Sequence, residues 1–217
     1  MKIDKIKNRH VIFKFNIADW DLNIHLIMGN KNNYIIDSGL GSLSIKPVID
    51  YIREDMKPII LINTHYHWDH IWGNHILENG TIISHKLCRD MIQNKWDDMF
   101  ERKMEYIKGD TKKCLPNLVF EDMLYFPEDS IRIFHTPGHT IDSISVYDEV
   151  EKVINVSDNI GDNMEEIIPS LENDTDIYRK TIQEYKNMDI EYVVSGHNVV
   201  LKKDIFYKII CELDNSN

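Results

Sequence analysis

Short apolar runs and amphipathic stretches alternate along most of the chain. The apolar runs have the length and residue types of β-strands, and we predict strands over residues 11–17, 22–28, 34–37, 59–63, 81–84, 118–120, 123–126, 131–136, 143–147, 152–156 and 192–195. Apolar residues at helical spacing predict helices over residues 43–55, 175–188 and 204–213. Strands that alternate with helices in this way are typical of an α/β protein.

A further helix is predicted between the strand at 81–84 and Pro116, over about residues 86–108. Large apolar residues recur along it at intervals of three to five, namely Leu87, Met91, Trp96, Met99, Phe100, Met104 and Ile107. Such a stripe usually packs into a domain core, and we prefer that interpretation. The alternative is that this inserted helix is lid-like, with Trp96 and Met99 roofing an active-site cleft.

Three histidines and one aspartate crowd into six residues directly after the apolar strand at 59–63. The run is His65-Tyr66-His67-Trp68-Asp69-His70. Shuffling would produce this H-x-H-x-D-H pattern on the order of once in 500 sequences. In an extended segment His65 and His67 point to the same side and can bind one metal ion, whereas a turn into a helix redirects the last two ligands toward a second position. Imidazole and carboxylate together suit zinc, iron or manganese.

Four ligands do not complete two metal sites, and three further polar residues stand at the ends of predicted strands. His139 follows a strand and a Pro-Gly turn, and Asp158 and His197 each follow a strand. Taken alone, a polar residue at a strand end usually has an ordinary structural role. Open α/β sheets, however, place their ligands at the carboxyl ends of strands, which makes these three residues candidate ligands.

The order of these motifs resembles that of the metallo-β-lactamase superfamily of metallohydrolases, over most of the chain. Five landmarks match in family order: Asn33-Tyr34-Ile35-Ile36-Asp37-Ser38-Gly39, the run from His65 to His70, Thr136-Pro137-Gly138-His139-Thr140, Ser157-Asp158 and Ser195-Gly196-His197. The resemblance implies a four-layer αββα sandwich with metals along the shared sheet edge. The chain departs from the pattern at Ser157, where the family more often has glycine.

The resemblance also implies how the ligands are divided between two divalent metal ions. One ion would bind His65, His67 and His139, the other would bind Asp69, His70 and His197, and Asp158 would bridge them. We expect zinc, with iron or manganese as alternatives. Asp69 would also relay a proton to the leaving group, so that Asp69 and Asp158 are the expected catalytic carboxylates.

Other polar residues near the motifs receive supporting roles. Asp37 is expected to orient one of the ligand histidines rather than to bind metal itself. Three residues are candidate donors to the developing oxyanion: Tyr34, Tyr66 and Asn159. Ordinary structural roles are expected for five histidines: His10, His25, His75, His85 and His135.

Two ions that share a water molecule lower its pKa, so that hydroxide becomes available near neutral pH without a histidine base. We therefore expect a dinuclear hydrolase whose metal-bound hydroxide attacks a small ester, thioester or lactone. Within the family, glyoxalase II-like enzymes carry a further C-terminal helical domain, whereas only twenty residues follow His197 here. Acyl-homoserine lactonases have a tyrosine where this chain has Gly161, and true β-lactamases lack a bridging aspartate.

Three alternatives stay open from the sequence. Phosphodiester hydrolysis, including RNA processing as in ribonuclease Z, is disfavoured because the net charge of -11 opposes a polyanion. A mononuclear iron oxygenase similar to the persulfide dioxygenases would use only two histidines and one aspartate. A metal-binding protein without catalysis is disfavoured because no ligand of the matched set is missing.

Length and composition predict one domain over residues 1–217, with a small molecule as its substrate and no prediction of oligomeric state. The N-terminal segment is charged and no apolar run is long enough to cross a bilayer, so we expect a cytoplasmic protein without a membrane partner. Cys88, Cys114 and Cys211 are widely separated, which favours reduced thiols over disulfides.

Overall fold

The computed structural model describes residues 1–215, and residues 216 and 217 lie outside the described part. The chain folds into two compact units, Met1–Glu121 and a second unit that begins at Asp122. Each unit contains a mixed β-sheet and helices of its own, so the predicted α/β class is confirmed. The expected single domain over residues 1–217 stays a prediction.

The first unit is built on a seven-stranded sheet in the order β1-β2-β3-β4-β5-β6-β7. The strands are β1 Lys2–Ile6, β2 His10–Ile17, β3 Trp20–Met28, β4 Asn33–Ile36, β5 Ile59–Ile62, β6 Thr81–His85 and β7 Leu118–Phe120. The first four strands pair antiparallel, and β4 to β7 pair in parallel. Strand β5 lies between two parallel neighbours, which explains why its sequence is a continuous apolar run.

Three α-helices belong to the first unit: α1 Ser42–Tyr51, α2 Trp68–Ile71 and α3 Lys86–Lys103. Helix α1 buries Ile45 and Val48 in a core that also contains Phe13 and Leu61. It ends four residues before the predicted end at 55. The Asp55 side chain accepts a hydrogen bond from the backbone N–H of Lys57 at 3.1 Å, and such a local turn competes with helix.

The second unit is built on a six-stranded sheet in the order β13-β12-β11-β10-β9-β8. The strands are β8 Met123–Phe126, β9 Ile131–His135, β10 Ile144–Asp148, β11 Val153–Asn155, β12 Tyr192–Val194 and β13 Leu201–Lys202. Only β11 and β12 pair in parallel among the described strands of this sheet. Helices α4 Thr175–Asn187 and α5 Asp204–Asn215 bury large residues in its core, including Tyr178, Tyr185 and Phe206.

The sequence pattern did not predict two strands, β1 and β13, which both lie at sheet edges. Strand β1 has mostly exposed side chains, and it pairs with β2 over its whole length. An edge strand with little apolar content is stabilised by its partner rather than by its own pattern. Among residues 1–215, no helix has both the length and the apolar character needed to cross a membrane.

Candidate metal centre

The first unit carries four of the candidate ligands in the segment that leaves β5. His67 has an extended backbone immediately before α2, and Asp69 and His70 lie within this short helix. The ring centroids of His65 and His67 are 4.6 Å apart, and those of His65 and His70 are 4.2 Å apart. Nε2 of His70 lies 3.6 Å from Oδ2 of Asp69. The turn from strand to helix therefore gathers the four side chains into one cluster.

Asp37 contacts His70 directly, as expected of a residue that orients one candidate ligand histidine, and it reaches His65 through Thr64. Its Oδ2 accepts a hydrogen bond from Nδ1 of His70 at 2.8 Å and another from the Thr64 hydroxyl at 2.7 Å. Because Thr64 donates its only hydroxyl proton to this carboxylate, its oxygen accepts at the 3.1 Å contact with Nδ1 of His65. Both histidines thus carry their proton on Nδ1, and Nε2 is the nitrogen that can bind a metal.

A buried polar network behind these residues was missed by sequence reasoning. The Ser38 hydroxyl donates to Oδ1 of Asn74 at 2.8 Å, and the amides of Asn63 and Asn74 donate to each other's oxygens at 2.9 and 2.8 Å. The backbone passes so close at Gly73 that a Cβ there would lie 2.4 Å from the Ser38 carbonyl oxygen. The network therefore ties the segment after β4 to the segment after β5, which carries the histidine cluster.

The second unit carries the other three candidate ligands, each just after a strand. His139 follows β9, Asp158 follows β11 and His197 follows β12. Nε2 of His197 lies 3.2 Å from Oδ2 of Asp158, and Nε2 of His139 lies 3.9 Å from the same oxygen. Asp158 and His197 are buried, and His139 is partly buried. One carboxylate oxygen of Asp158 thus faces both candidate ligand histidines of this unit.

His139 is held by a loop that sequence reasoning did not single out. Its Nδ1 donates to the carbonyl oxygen of Ser170 at 2.6 Å, and its own carbonyl accepts from the Glu172 N–H at 2.8 Å. A carbonyl can only accept a hydrogen bond, so Nδ1 of His139 carries the proton and Nε2 carries the lone pair.

Two backbone positions around Asp158 depart from what the family resemblance implies. Ser157 has φ of 47°, in the left-handed region that glycine adopts most readily, which gives a physical reason for the family's preference for glycine there. At Gly161, where lactonases have tyrosine, a Cβ would lie 1.9 Å from the carbonyl oxygen of Glu166. The loop closes on itself at this point through a hydrogen bond from Gly161 N–H to Ile167 O at 3.0 Å.

The three candidate oxyanion donors differ in their surroundings. Tyr34 is buried, and its hydroxyl accepts from Nδ2 of Asn32 at 3.3 Å. Tyr66 is also buried, and its hydroxyl accepts from Nζ of Lys95 at 2.9 Å. Asn159 uses both amide hydrogens within its own unit, on Thr136 and Tyr185. Its amide therefore has no proton left for an oxyanion, so Asn159 is removed from the three candidate donors.

The inserted helix α3 packs as core. Trp96 and Met99 are buried in one cluster with Tyr66 and Trp72. Three large aromatic residues at or near the segment that follows β5, Trp20, Trp68 and Tyr106, are partly exposed, and none of them belongs to α3. The Trp68 ring, between His67 and Asp69 in sequence, has its centroid 6.0 Å from that of Trp20 and 5.1 Å from that of Tyr106.

Four of the five histidines for which structural roles are expected make hydrogen bonds within their own unit. Nδ1 of His10 lies 2.9 Å from Nε2 of His25 in a buried pair. His85 caps α3 by accepting from the Leu87 N–H at 3.2 Å. Nε2 of His135 donates to the Ile141 carbonyl at 2.7 Å, so this histidine is engaged by its own turn although it lies four residues before His139. The three cysteines form no disulfide among residues 1–215.

The model of the metallo-beta-lactamase superfamily matches residues 19–197, which is most of the chain. Both units carry histidine and aspartate side chains that could bind a metal ion, in agreement with that assignment. The chain belongs to the metallo-beta-lactamase superfamily, and within it the chain is a hydrolase. The fold implies that the chain binds divalent metal.

Individual relatives agree with this placement. The chain is 27% identical over 171 residues to a probable metallo-hydrolase of Methanocaldococcus jannaschii, a match that covers 78% of this chain and 68% of the relative. It is 23% identical over 155 residues to an acyl-coenzyme A thioesterase of Gallus gallus, covering 61% of this chain and only 55% of the thioesterase. The crystal structure of DIM-1 metallo-beta-lactamase superposes with a TM-score of 0.76 at 13% identity, covering 100% of this chain and 97% of that one, and confirms the predicted metallo-β-lactamase fold.

Proposed function

We propose that this protein is a dinuclear metal-dependent hydrolase of small thioesters or esters. His65, His67 and His139 bind one ion, Asp69, His70 and His197 bind the other, and Asp158 bridges them. Membership of the superfamily and the family order of the motifs support this assignment.

The observation that carries the proposal is the hydrogen bonding of three proposed histidine ligands. Nδ1 of His65, His70 and His139 donates to Thr64, Asp37 and Ser170 respectively. A histidine that donates from one nitrogen to a fixed acceptor presents the lone pair of the other nitrogen to a metal. Neutral imidazole and carboxylate are ligands that fit zinc, and we take zinc as the metal.

Divalent ions supply a Lewis acid for a substrate carbonyl and make hydroxide available near neutral pH. The chain's own residues do the rest. The Asp69 carboxylate, mostly buried beside His70, would accept the proton that the attacking water loses and deliver it to the leaving thiolate or alkoxide, which departs as the thiol or alcohol. Asp37 and Ser170 keep His70 and His139 in one tautomer and orientation.

The substrate class follows from the surface next to the ligand segment. Trp20, Trp68 and Tyr106 provide partly exposed aromatic area, and Nζ of Lys103 lies 5.6 Å from the Trp68 ring centroid and 5.8 Å from that of Tyr106. Aromatic area of this kind binds an apolar acyl group, and the lysine favours an anionic group on the same molecule. The relationship to an acyl-coenzyme A thioesterase also supports a thioester.

Lactones are less favoured within this proposal, because Gly161 cannot accept the tyrosine side chain that lactonases carry at this position. Phosphodiesters are disfavoured by the net charge of -11. The expected cytoplasmic location remains a prediction.

The experiment that tests the proposal combines metal analysis with a substrate panel. We expect two metals per chain and preference for a small thioester or ester over a phosphodiester. His139→Ala and Asp158→Ala should each lower metal content and abolish hydrolysis. His135→Ala is the matched control, and it should retain both metals because His135 bonds to Ile141 instead.

Two results would overturn the proposal. One is a single iron per chain under metal-replete conditions with oxygen consumed on a persulfide. The other is a phosphodiester cleaved far faster than any ester, with activity that falls steeply as salt rises.

A further inference from the structure

The side chain of Asn159 joins the two turns that carry His139 and Asp158. It is fully buried. Its Oδ1 accepts from the backbone N–H of His139 at 2.8 Å, and its Nδ2 donates to the carbonyl oxygen of Thr136 at 2.8 Å. Because the Thr136 carbonyl can only accept, the amide cannot be flipped without losing both bonds.

The turn at Gly138 has room for the Asn159 amide only because residue 138 has no side chain. A Cβ at Gly138 would lie 2.4 Å from Oδ1 of Asn159, so a side chain there would displace the amide from the His139 N–H. The glycine of the Thr136-Pro137-Gly138-His139 motif therefore serves the approach of Asn159 as well as the turn itself.

Tyr185 of helix α4 holds the other end of the amide. Its buried hydroxyl accepts from Nδ2 of Asn159 at 2.9 Å and forms a second hydrogen bond with Oγ of Ser145, 2.7 Å away. Ser145 in turn lies 2.9 Å from the hydroxyl of Thr136. Burial raises the pKa of Tyr185 to about 12, so this hydroxyl keeps its proton throughout the physiological range.

We propose that Asn159 is a positioning residue that fixes His139 relative to Asp158, and that Tyr185 keeps the Asn159 amide in the orientation this requires. The inference rests on the proposed function, in which His139 and Asp158 bind metal. Asn159 is the residue directly after Asp158, so one side chain couples the backbones that carry two ligands. Groups that orient metal ligands typically contribute 10- to 100-fold to metal affinity, and we expect an effect of about that size.

The test measures zinc affinity of the reloaded apoprotein by competition with a chelator, beside its melting temperature without metal. Asn159→Ala should weaken binding of the more affected zinc by about 10- to 100-fold. Tyr185→Phe, which keeps the ring and removes only the hydroxyl, should weaken the same zinc by a smaller factor. The Tyr185 variant keeps the test decisive if Asn159→Ala does not fold.

The matched control is Tyr147→Phe. The Tyr147 hydroxyl donates to the backbone carbonyl of Asp189 at 2.5 Å, away from the turns that carry the ligands in this unit. This variant should lower the melting temperature and leave both zinc affinities within about twofold. A general loss of stability and a loss of ligand positioning are thereby separated.

A double variant tests whether Asn159 acts through His139. In a His139→Ala background, Asn159→Ala should cause little further loss of zinc affinity, since the imidazole that Asn159 positions is already gone. The inference is overturned if Asn159→Ala or Tyr185→Phe binds zinc as tightly as the wild type, or if the two losses simply multiply in the double variant. Wild-type protein that binds two zinc ions and cleaves a thioester in that same experiment would leave the proposed function intact.

Discussion

The carboxylate of Asp37 accepts a hydrogen bond from Nδ1 of His70 at 2.8 Å, although the two residues are 33 positions apart in the chain. Asp37 has φ of 64°, a left-handed conformation that aspartate and asparagine tolerate better than most residues. The same carboxylate accepts from the backbone and the hydroxyl of Thr64 at 2.8 and 2.7 Å. The Asp37 side chain thus orients His70 and ties it to Thr64.

The first prediction concerns this contact. Asp37→Ala should lower zinc affinity about 10- to 100-fold, because His70 loses the acceptor that fixes its tautomer. Asp37→Asn retains an acceptor oxygen and suits the backbone conformation, so its loss should be smaller. Chelator competition on the reloaded apoproteins measures both. Equal affinity for wild type and Asp37→Ala would show that the contact does not support metal binding.

The second prediction compares the partly exposed Trp20 with the buried Trp96. Trp20→Ala should raise KM for an apolar acyl thioester about 5- to 30-fold with little change in kcat, since lost packing of about 1–2 kcal/mol affects the bound ground state and transition state alike. Trp96→Ala removes a buried core residue and should instead lower the free energy of unfolding by about 3–5 kcal/mol. Steady-state kinetics and denaturant titrations distinguish the two outcomes. A specific KM effect at Trp96 would restore the lid interpretation of α3.

The third prediction concerns Gly161. Gly161→Ala should reduce stability by about 1–3 kcal/mol, because its Cβ would meet the Glu166 carbonyl and force the loop open. The control is Gly80→Ala, where the nearest atom, the carbonyl oxygen of Leu77, lies 3.3 Å from the added Cβ and a smaller effect is expected. Denaturant midpoints provide the measurement. A Gly161→Tyr variant that is as stable as the wild type would remove the structural objection to a lactonase.

A fourth prediction follows from the raised pKa of Tyr185. The folded protein keeps this phenol protonated up to about pH 12, whereas the unfolded chain releases the proton near pH 10. Its contribution to stability is therefore complete below about pH 10 and is lost as the pH rises toward 12. Tyr185→Phe should make the alkaline fall in melting temperature shallower. Some slope should remain, because burial also raises the pKa of Tyr178.

The fifth prediction concerns cysteine. Burial raises the pKa of the Cys114 thiol, which keeps it protonated and weakly nucleophilic near neutral pH. Cys114→Ala and the exposed Cys211→Ala should therefore retain hydrolysis. Mass spectrometry during turnover should detect no acyl group on the protein. A covalent acyl-cysteine that forms and decays at the rate of turnover would replace metal-dependent attack with nucleophilic catalysis.

Much of the fold and of the candidate ligand set could be predicted from local sequence. A buried parallel strand such as β5 needs a continuous apolar run, and α4 repeats Tyr178, Ile182 and Tyr185 at helical spacing. These signals depend on neighbours a few residues away, so they can be read directly from the chain. The edge strand β1 lacks these signals, because it is stabilised by its pairing with β2 and not by apolar side chains of its own.

The sequence by itself determined the kinds of candidate ligand, their order and the strand ends that they follow, because residue type and spacing are local properties. Only the tertiary structure decided which groups orient His70 and His139, since Asp37 and Ser170 lie more than thirty residues away. It also decided that Trp96 is core whereas Trp20 stays partly exposed. Periodicity indicates that a residue is apolar and on one face of a helix, but which surface covers that face depends on how distant elements pack.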